Sequence, residues 1–139
     1  MSRVTRARVV VDDAVVGELT GPGLLVLLGV HRDDDPAGEA GARMARKLHE
    51  LRLLRDDRSC AGTGAGLLVV SQFTLYGDTR RGRRPSWSAA APPERARGVV
   101  DAVVADLRRR GAHVAEGVFG ADMAVESVND GPLTVVVET

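Results

Sequence analysis

Two short, uninterrupted apolar runs, Leu24 to Leu28 and Leu67 to Val70, do most to limit what this chain can become. Each falls far short of the ~20 residues a membrane span requires, and a run of this length between turn signals reads as a buried strand. The rest of the pattern fits around them. Alternation in Arg3 to Val11 and Ala14 to Leu19, either side of Asp12-Asp13, predicts a hairpin. Gly21-Pro22-Gly23 turns the chain into the strand Leu24 to Val30. Asp33 to Asp35 ahead of Pro36 signal a helix over Pro36 to Leu51, with Ala40, Met44, Leu48 and Leu51 at helical spacing. A small, polar loop from Asp56 to Gly66 precedes a strand over Leu67 to Leu75. The Arg-rich stretch to Ser88 has no period and reads as another loop.

Ala91-Pro92-Pro93-Glu94 opens a second helix, whose Ala96, Val100, Val103 and Leu107 share a face and whose Arg108 to Arg110 complement the helix dipole before Gly111 stops it. Three short strands are expected to follow, His113 to Gly117, Met123 to Val128 and Leu133 to Glu138, with Asn129-Asp130-Gly131-Pro132 breaking the last two. The order is β-β-β-α-β-α-β-β-β. At 139 residues this is one mixed α/β domain, residues 1–139, with no internal repeat.

Composition narrows the function. The N-terminal MSRVTRARVVVDD has neither the apolar stretch nor the cleavage site of a secretory signal, so a cytoplasmic location is expected. Cys60 is alone, and His31, His49 and His113 are scattered, so no metal centre or other cofactor is expected. Net charge is zero, but residues 111 to 139 carry five acids and no Arg or Lys, leaving the cations upstream. Eighteen of the 19 cations are Arg, which a GC-rich coding sequence explains for the most part. Arg80, Arg81, Arg83 and Arg84 stand apart: four guanidinium groups in five residues repel one another unless solvent or an anion such as RNA phosphate lies against them. The aromatics Phe73, Tyr76, Trp87 and Phe119 avoid the periodic helices and first strands. They either cap the ends of a small sheet or meet a base or apolar ligand.

Two segments carry chemistry. In Ser71-Gln72-Phe73-Thr74-Leu75 an apolar strand runs into hydroxyl and amide side chains, although a Ser or Thr nucleophile would need a base that the sequence does not name. In Asn129-Asp130-Gly131-Pro132-Leu133-Thr134 the proline marks an ordinary turn or, because glycine precedes it, a cis peptide aiming two carbonyl oxygens one way.

Together with Arg3 to Ala7, Gly21 to Val30, VVSQFTLYGDTRRGRRPSW (Val69 to Trp87), Ala91-Pro92-Pro93, Phe119 to Met123 and VNDGPLT (Val128 to Thr134), these segments resemble the D-aminoacyl-tRNA deacylase family over nearly the whole chain. The resemblance implies mixed sheets in a layered α/β/β arrangement and a homodimer, in which a cis Gly131-Pro132 reaches into the partner's site. There an L side chain collides while a D side chain or a hydrogen points away, so glycyl-tRNA is also expected to be cleaved. Ser71, Gln72, Phe73 and Thr74 are the implied catalytic segment. Main-chain N–H groups near Phe73 and Thr74 would form the oxyanion site, with Ser71 and Gln72 placing the terminal adenosine. No side-chain base is evident, so the substrate's 2'-hydroxyl is the preferred activator of water. Phe119 and Met123 would wall the adenine pocket, and Asn129 and Thr134 would flank the Gly-Pro element in binding substrate. Arg81, Arg83 and Arg84 would track phosphates of the acceptor stem, and Arg3 would support the Gly-Pro loop. The sequence departs from the family in its short start before Arg3 and in the shortened loop Asp56 to Gly66. The rival reading is a non-catalytic tRNA- or RNA-binding module of the same fold.

Overall fold

The computed structural model describes Met1–Thr139. The alternating N-terminal segments form the antiparallel pair β1 (Ser2–Val11) and β2 (Ala14–Leu19). Asp12 and Asp13 turn the chain with φ of 49° and 62°, the left-handed values a tight two-residue hairpin demands and Asp tolerates. The two apolar runs become β3 (Gly23–Leu28) and β4 (Gly66–Ser71), parallel neighbours in register from Gly23↔Gly66 to Leu28↔Ser71, and β5 (Val114–Glu116) continues the parallel set. Their apolar character at successive positions follows from burial on both faces. Leu24, Val26, Leu67 and Val69 belong to a core shared with the helices, whereas Leu25, Leu68 and Val70 join a second core with Val4, Ala7 and Val9.

That second core is the inside of a curl. β6 (Ala124–Thr134) lies on the other edge of β1, and Gly17 of β2 crosses β5 so closely that a Cβ there would stand 2.0 Å from the Glu116 carbonyl oxygen. Only glycine permits that approach. The result is one mixed, nearly closed six-stranded sheet, not the separate layered sheets expected. Three helices complete the fold, α1 (Glu39–Glu50), the one-turn α2 (Cys60–Thr63) and α3 (Pro93–Arg109), with Leu48, Val100, Val103 and Leu107 packed on Leu24 and Leu67.

Other expectations shift for local reasons. α1 begins at Glu39 rather than Pro36, because Asp35 spends its carboxylate on the Ala37 N–H (2.9 Å) and its carbonyl on the Gly38 N–H (2.9 Å), closing a turn first. The loop Asp56 to Gly66 contains α2, where Ser59 Oγ accepts the Gly62 N–H and Cys60 is buried. β4 stops at Ser71, and Phe73–Tyr76 is a 3₁₀ turn instead of more strand. The chain continues through Asn129-Asp130-Gly131-Pro132 as one strand, β6, which ends at Thr134, so most of the strand expected over Leu133 to Glu138 does not form and the order reads β-β-β-α-α-β-α-β-β.

The register explains how β6 survives its proline. Val4 pairs with Asn129 and Ser2 with Thr134, so Asp130 to Leu133 are surplus chain and bulge from the ladder. Every peptide bond is trans, that of Gly131-Pro132 included, which corrects the cis expectation. Gly131 takes φ 80°, and this left-handed residue makes the bend that the cis bond was expected to supply.

Candidate active site

A cleft of about 750 Å³ opens where β3 and β4 end. Leu28 and Val70 form its base, the head of α3 with Pro93 and Ala96 one wall, and the segment Phe119 to Met123 another. Ser71, Gln72 and Phe73 enter it directly. Strand pairing positions them, since the Gln72 N–H still donates to the Leu28 carbonyl (2.9 Å) before the backbone swings into the 3₁₀ turn. Within that turn Leu75 N–H donates to Gln72 O (3.3 Å) and Gly77 N–H to Thr74 O (3.0 Å). The leading amides of such a turn, those of Phe73 and Thr74, have no partner inside it. Thr74 is exposed and lies outside the cleft lining, its hydroxyl taken up by the Gln72 side-chain amide.

The cleft is notable for what it lacks. Among its lining residues Asp122 is the only ionisable one, and none of the three histidines is included. His31 meets Tyr76 at a tilt of 59° with ring centroids 5.3 Å apart, and its Nδ1 accepts the Asp33 N–H. His49 is buried in α1, and His113 is exposed before β5. No His, Cys, Asp or Glu group of three could hold a metal ion, and no helix is long and apolar enough to cross a membrane. The arrangement can therefore bind an apolar or aromatic group and offer main-chain donors, but it provides no histidine base to a Ser or Thr nucleophile.

Aromatics and arginines crowd the rim. Phe73, 57% exposed, meets Trp87 edge to face at 5.3 Å. Directly between them in sequence, Asp78 and Ser86 exchange two backbone hydrogen bonds (2.8 and 2.9 Å), which raises residues 79–85 as a hairpin beside the cleft. Arg80 folds back onto Asp78, whose carboxyl is drawn down to about 2 chiefly by that side-chain hydrogen bond. Arg81, Arg83 and Arg84 are exposed and pair with no acid. Met123 closes the end of the curl, its Sδ lying against Gly117.

The remaining predicted residues lie elsewhere. Nothing beyond Val125 lines the cleft, so one chain does not bring Asn129, Gly131, Pro132 or Thr134 to Ser71 and Gln72. They build the β6 bulge. Asn129 Nδ2 donates to the carbonyls of Arg3 and Leu133 (both 3.0 Å), and the Thr134 and Ser2 hydroxyls share a 2.8 Å hydrogen bond. Arg3 Nε donates to the Asp130 carbonyl (3.0 Å), while Arg55 grips the Asp130 carboxylate through two nitrogens (2.7 and 3.1 Å). The Arg55 hydrogen bond, helped by the charges of Arg55 and Arg3, holds the Asp130 carboxyl below its ordinary range. A Cβ on Gly131 would meet the Arg3 and Arg55 guanidinium groups at 2.7 and 2.8 Å. Arg3 was expected beside this loop and donates to it, whereas Arg55 and Asp130 were not anticipated. Their only sequence signal is opposite charge across 75 residues.

The family model described as D-Tyr-tRNA(Tyr) deacylase matches residues 1–138. A D-aminoacyl-tRNA deacylase from Beutenbergia cavernae is 62% identical over 138 residues, covering 99% of this chain and 96% of that protein. One from Acidothermus cellulolyticus is 61% identical with the same coverage. The solved structure described as c-Myc DNA Unwinding Element Binding Protein superposes with a TM-score of 0.90 at 34% identity, covering 99% of this chain and 95% of that one. A probable eukaryotic D-amino acid tRNA deacylase shares the fold at a TM-score of 0.75 and 16% identity, over 93% of this chain and 91% of that one. The chain belongs to the D-aminoacyl-tRNA deacylase family.

Proposed function

We propose that this protein hydrolyses the ester joining a D-amino acid to the 3'-terminal adenosine of tRNA, and that it also accepts glycyl-tRNA. The observation that carries this reading is the cleft itself, which receives Ser71, Gln72 and Phe73 at the mouth of a 3₁₀ turn and has no histidine base. An aminoacyl ester is already activated, so positioning and oxyanion stabilisation suffice. The adenine ring lies against Phe119 and Met123. Water attacks the ester carbonyl, assisted by the substrate's 2'-hydroxyl, and the developing oxyanion is met by the Phe73 and Thr74 amides. Collapse expels the ribose 3'-oxygen, which takes a proton, and leaves the free amino acid. Arg81, Arg83 and Arg84 contact phosphates of the acceptor end.

The site is completed by a second copy of the chain. The bulge at Gly131-Pro132, in its trans form and braced by Arg3, Arg55 and Asn129, enters the partner's cleft, where its main chain obstructs an L side chain and leaves space for a D side chain or a hydrogen. That a single chain keeps this bulge apart from its own cleft supports the arrangement. The protein acts on its substrate in the cytoplasm.

Purified protein incubated with D-tyrosyl-tRNA is expected to release D-tyrosine catalytically. A second reading, a non-catalytic nucleic-acid-binding module, is favoured by the three unpaired hairpin arginines and by the likeness to the c-Myc DNA Unwinding Element Binding Protein. Salt-dependent tRNA binding without release of D-tyrosine would establish that reading instead.

A further inference from the structure

We propose that Arg97, on the exposed side of α3, is a positioning residue that contacts a phosphate of the bound RNA end, held at the cleft by the ring of Phe119. Its guanidinium carbon lies 5.1 Å from the Phe119 ring centroid, within cation–π range. Glu94 and Asp101 occupy i−3 and i+4 on the same helix, where a surface arginine ordinarily finds a carboxylate, yet Arg97 makes no ion pair with either. The other arginines of this helix are all engaged. Arg95 donates to the Arg32 carbonyl (2.6 Å), Arg108 pairs with Glu116 (2.8 Å), and Arg109 and the capping Arg110 pair with Asp106 (2.7 and 2.8 Å). Arg97 alone is left to an aromatic ring, and that ring lines the cleft.

A guanidinium resting on an aromatic face keeps its N–H edges free, and those edges match a phosphate bidentately. The α3 wall therefore offers a fixed positive group on a different side of the cleft from the hairpin arginines near Trp87. A nucleoside seated in the cleft carries its chain of phosphates out over the rim, and Arg97 is the cation on the wall formed by α3 and Phe119. The inference rests on the deacylase reading only for the identity of the RNA end.

The test measures tRNA binding and D-tyrosyl-tRNA deacylation across a salt series for wild type, Arg97→Gln and Arg97→Lys. Arg97→Gln is expected to raise KM roughly 10-fold with kcat little changed, and to reduce the dependence of log binding constant on log salt by ~0.7, the contribution of one single-strand phosphate. Arg97→Lys keeps the charge and is expected to restore the slope. A wild-type slope in Arg97→Gln, or a slope in Arg97→Lys as low as that of Arg97→Gln, overturns the proposal. A role confined to packing Phe119 would leave the slope unmoved. Should Arg97→Gln lower the slope and Arg97→Lys restore it while wild type releases no D-tyrosine, the deacylase reading fails and the phosphate contact stands.

Discussion

Gly131 concentrates several demands on one position. Its φ of 80° favours glycine, and a Cβ would press on both arginines that brace the bulge. Gly131→Ala is expected to cost about 1–2 kcal/mol from the backbone alone, seen as a lower melting temperature, and to reduce deacylation further than this loss explains. An unchanged melting temperature would contradict the strain. Thr74 carries the opposite expectation, because its hydroxyl is exposed and outside the cleft. Thr74→Ala should retain most of the deacylation rate, and complete loss in a folded variant would restore covalent catalysis. Ser71, Gln72 and Phe73, which line the cleft, stood out in the sequence because polar side chains at the end of an apolar strand are conspicuous, whereas Phe119 and Met123, which line it too, came from the family resemblance. The sequence did not indicate Arg55 or Asp130, because an ion pair between distant segments leaves no local pattern.

The β6 bulge is the element on which the proposed selectivity depends, and its stability should follow pH. Asp130 is held below its ordinary pKa by Arg55 and Arg3, whereas the unfolded chain titrates near the usual ~3.9. The pair's contribution is therefore complete above that value and disappears as pH falls through the lower folded one. Asp130→Asn should melt below wild type at pH 7, and the gap should narrow below about pH 4; a constant gap would mean that the carboxylate's charge is irrelevant there. α2 gives a second check. Burial pushes the Cys60 thiol up to about 11, so it should resist alkylation at pH 8 in the folded protein and react on unfolding. The first three strands, the start of β4 and both long helices were legible from period and breakers. The bulge was not, because Pro132 reads locally as a strand break and only pairing with β1 shows that the strand continues. The 3₁₀ turn at Phe73–Tyr76 escaped for a similar reason, its apolar residues continuing the pattern of β4.

Across the whole molecule, the curl of the sheet separates the cleft from the Gly131-Pro132 bulge, and the proposed activity requires a second copy to reunite them. The nearly closed sheet behind that separation was hidden in the sequence, since β2 meets β5 through the single residue Gly17, which gives no periodic signal. Complementation tests the division. Phe73→Pro removes one leading amide and Gly131→Val disrupts the bulge, so each alone should be inactive. Mixed and allowed to exchange, they should recover up to roughly a quarter of wild-type activity, because only mixed dimers contain one intact site. No recovery in mixtures shown to contain mixed dimers would place each site within a single chain.

Discrimination by handedness is read in the initial rates of hydrolysis of D-tyrosyl-tRNA and L-tyrosyl-tRNA by the wild-type protein, side by side. The D ester is expected to be cleaved at least ~100-fold faster, a margin that rejection by collision readily supplies. Equal rates for the two esters would contradict the proposed discrimination.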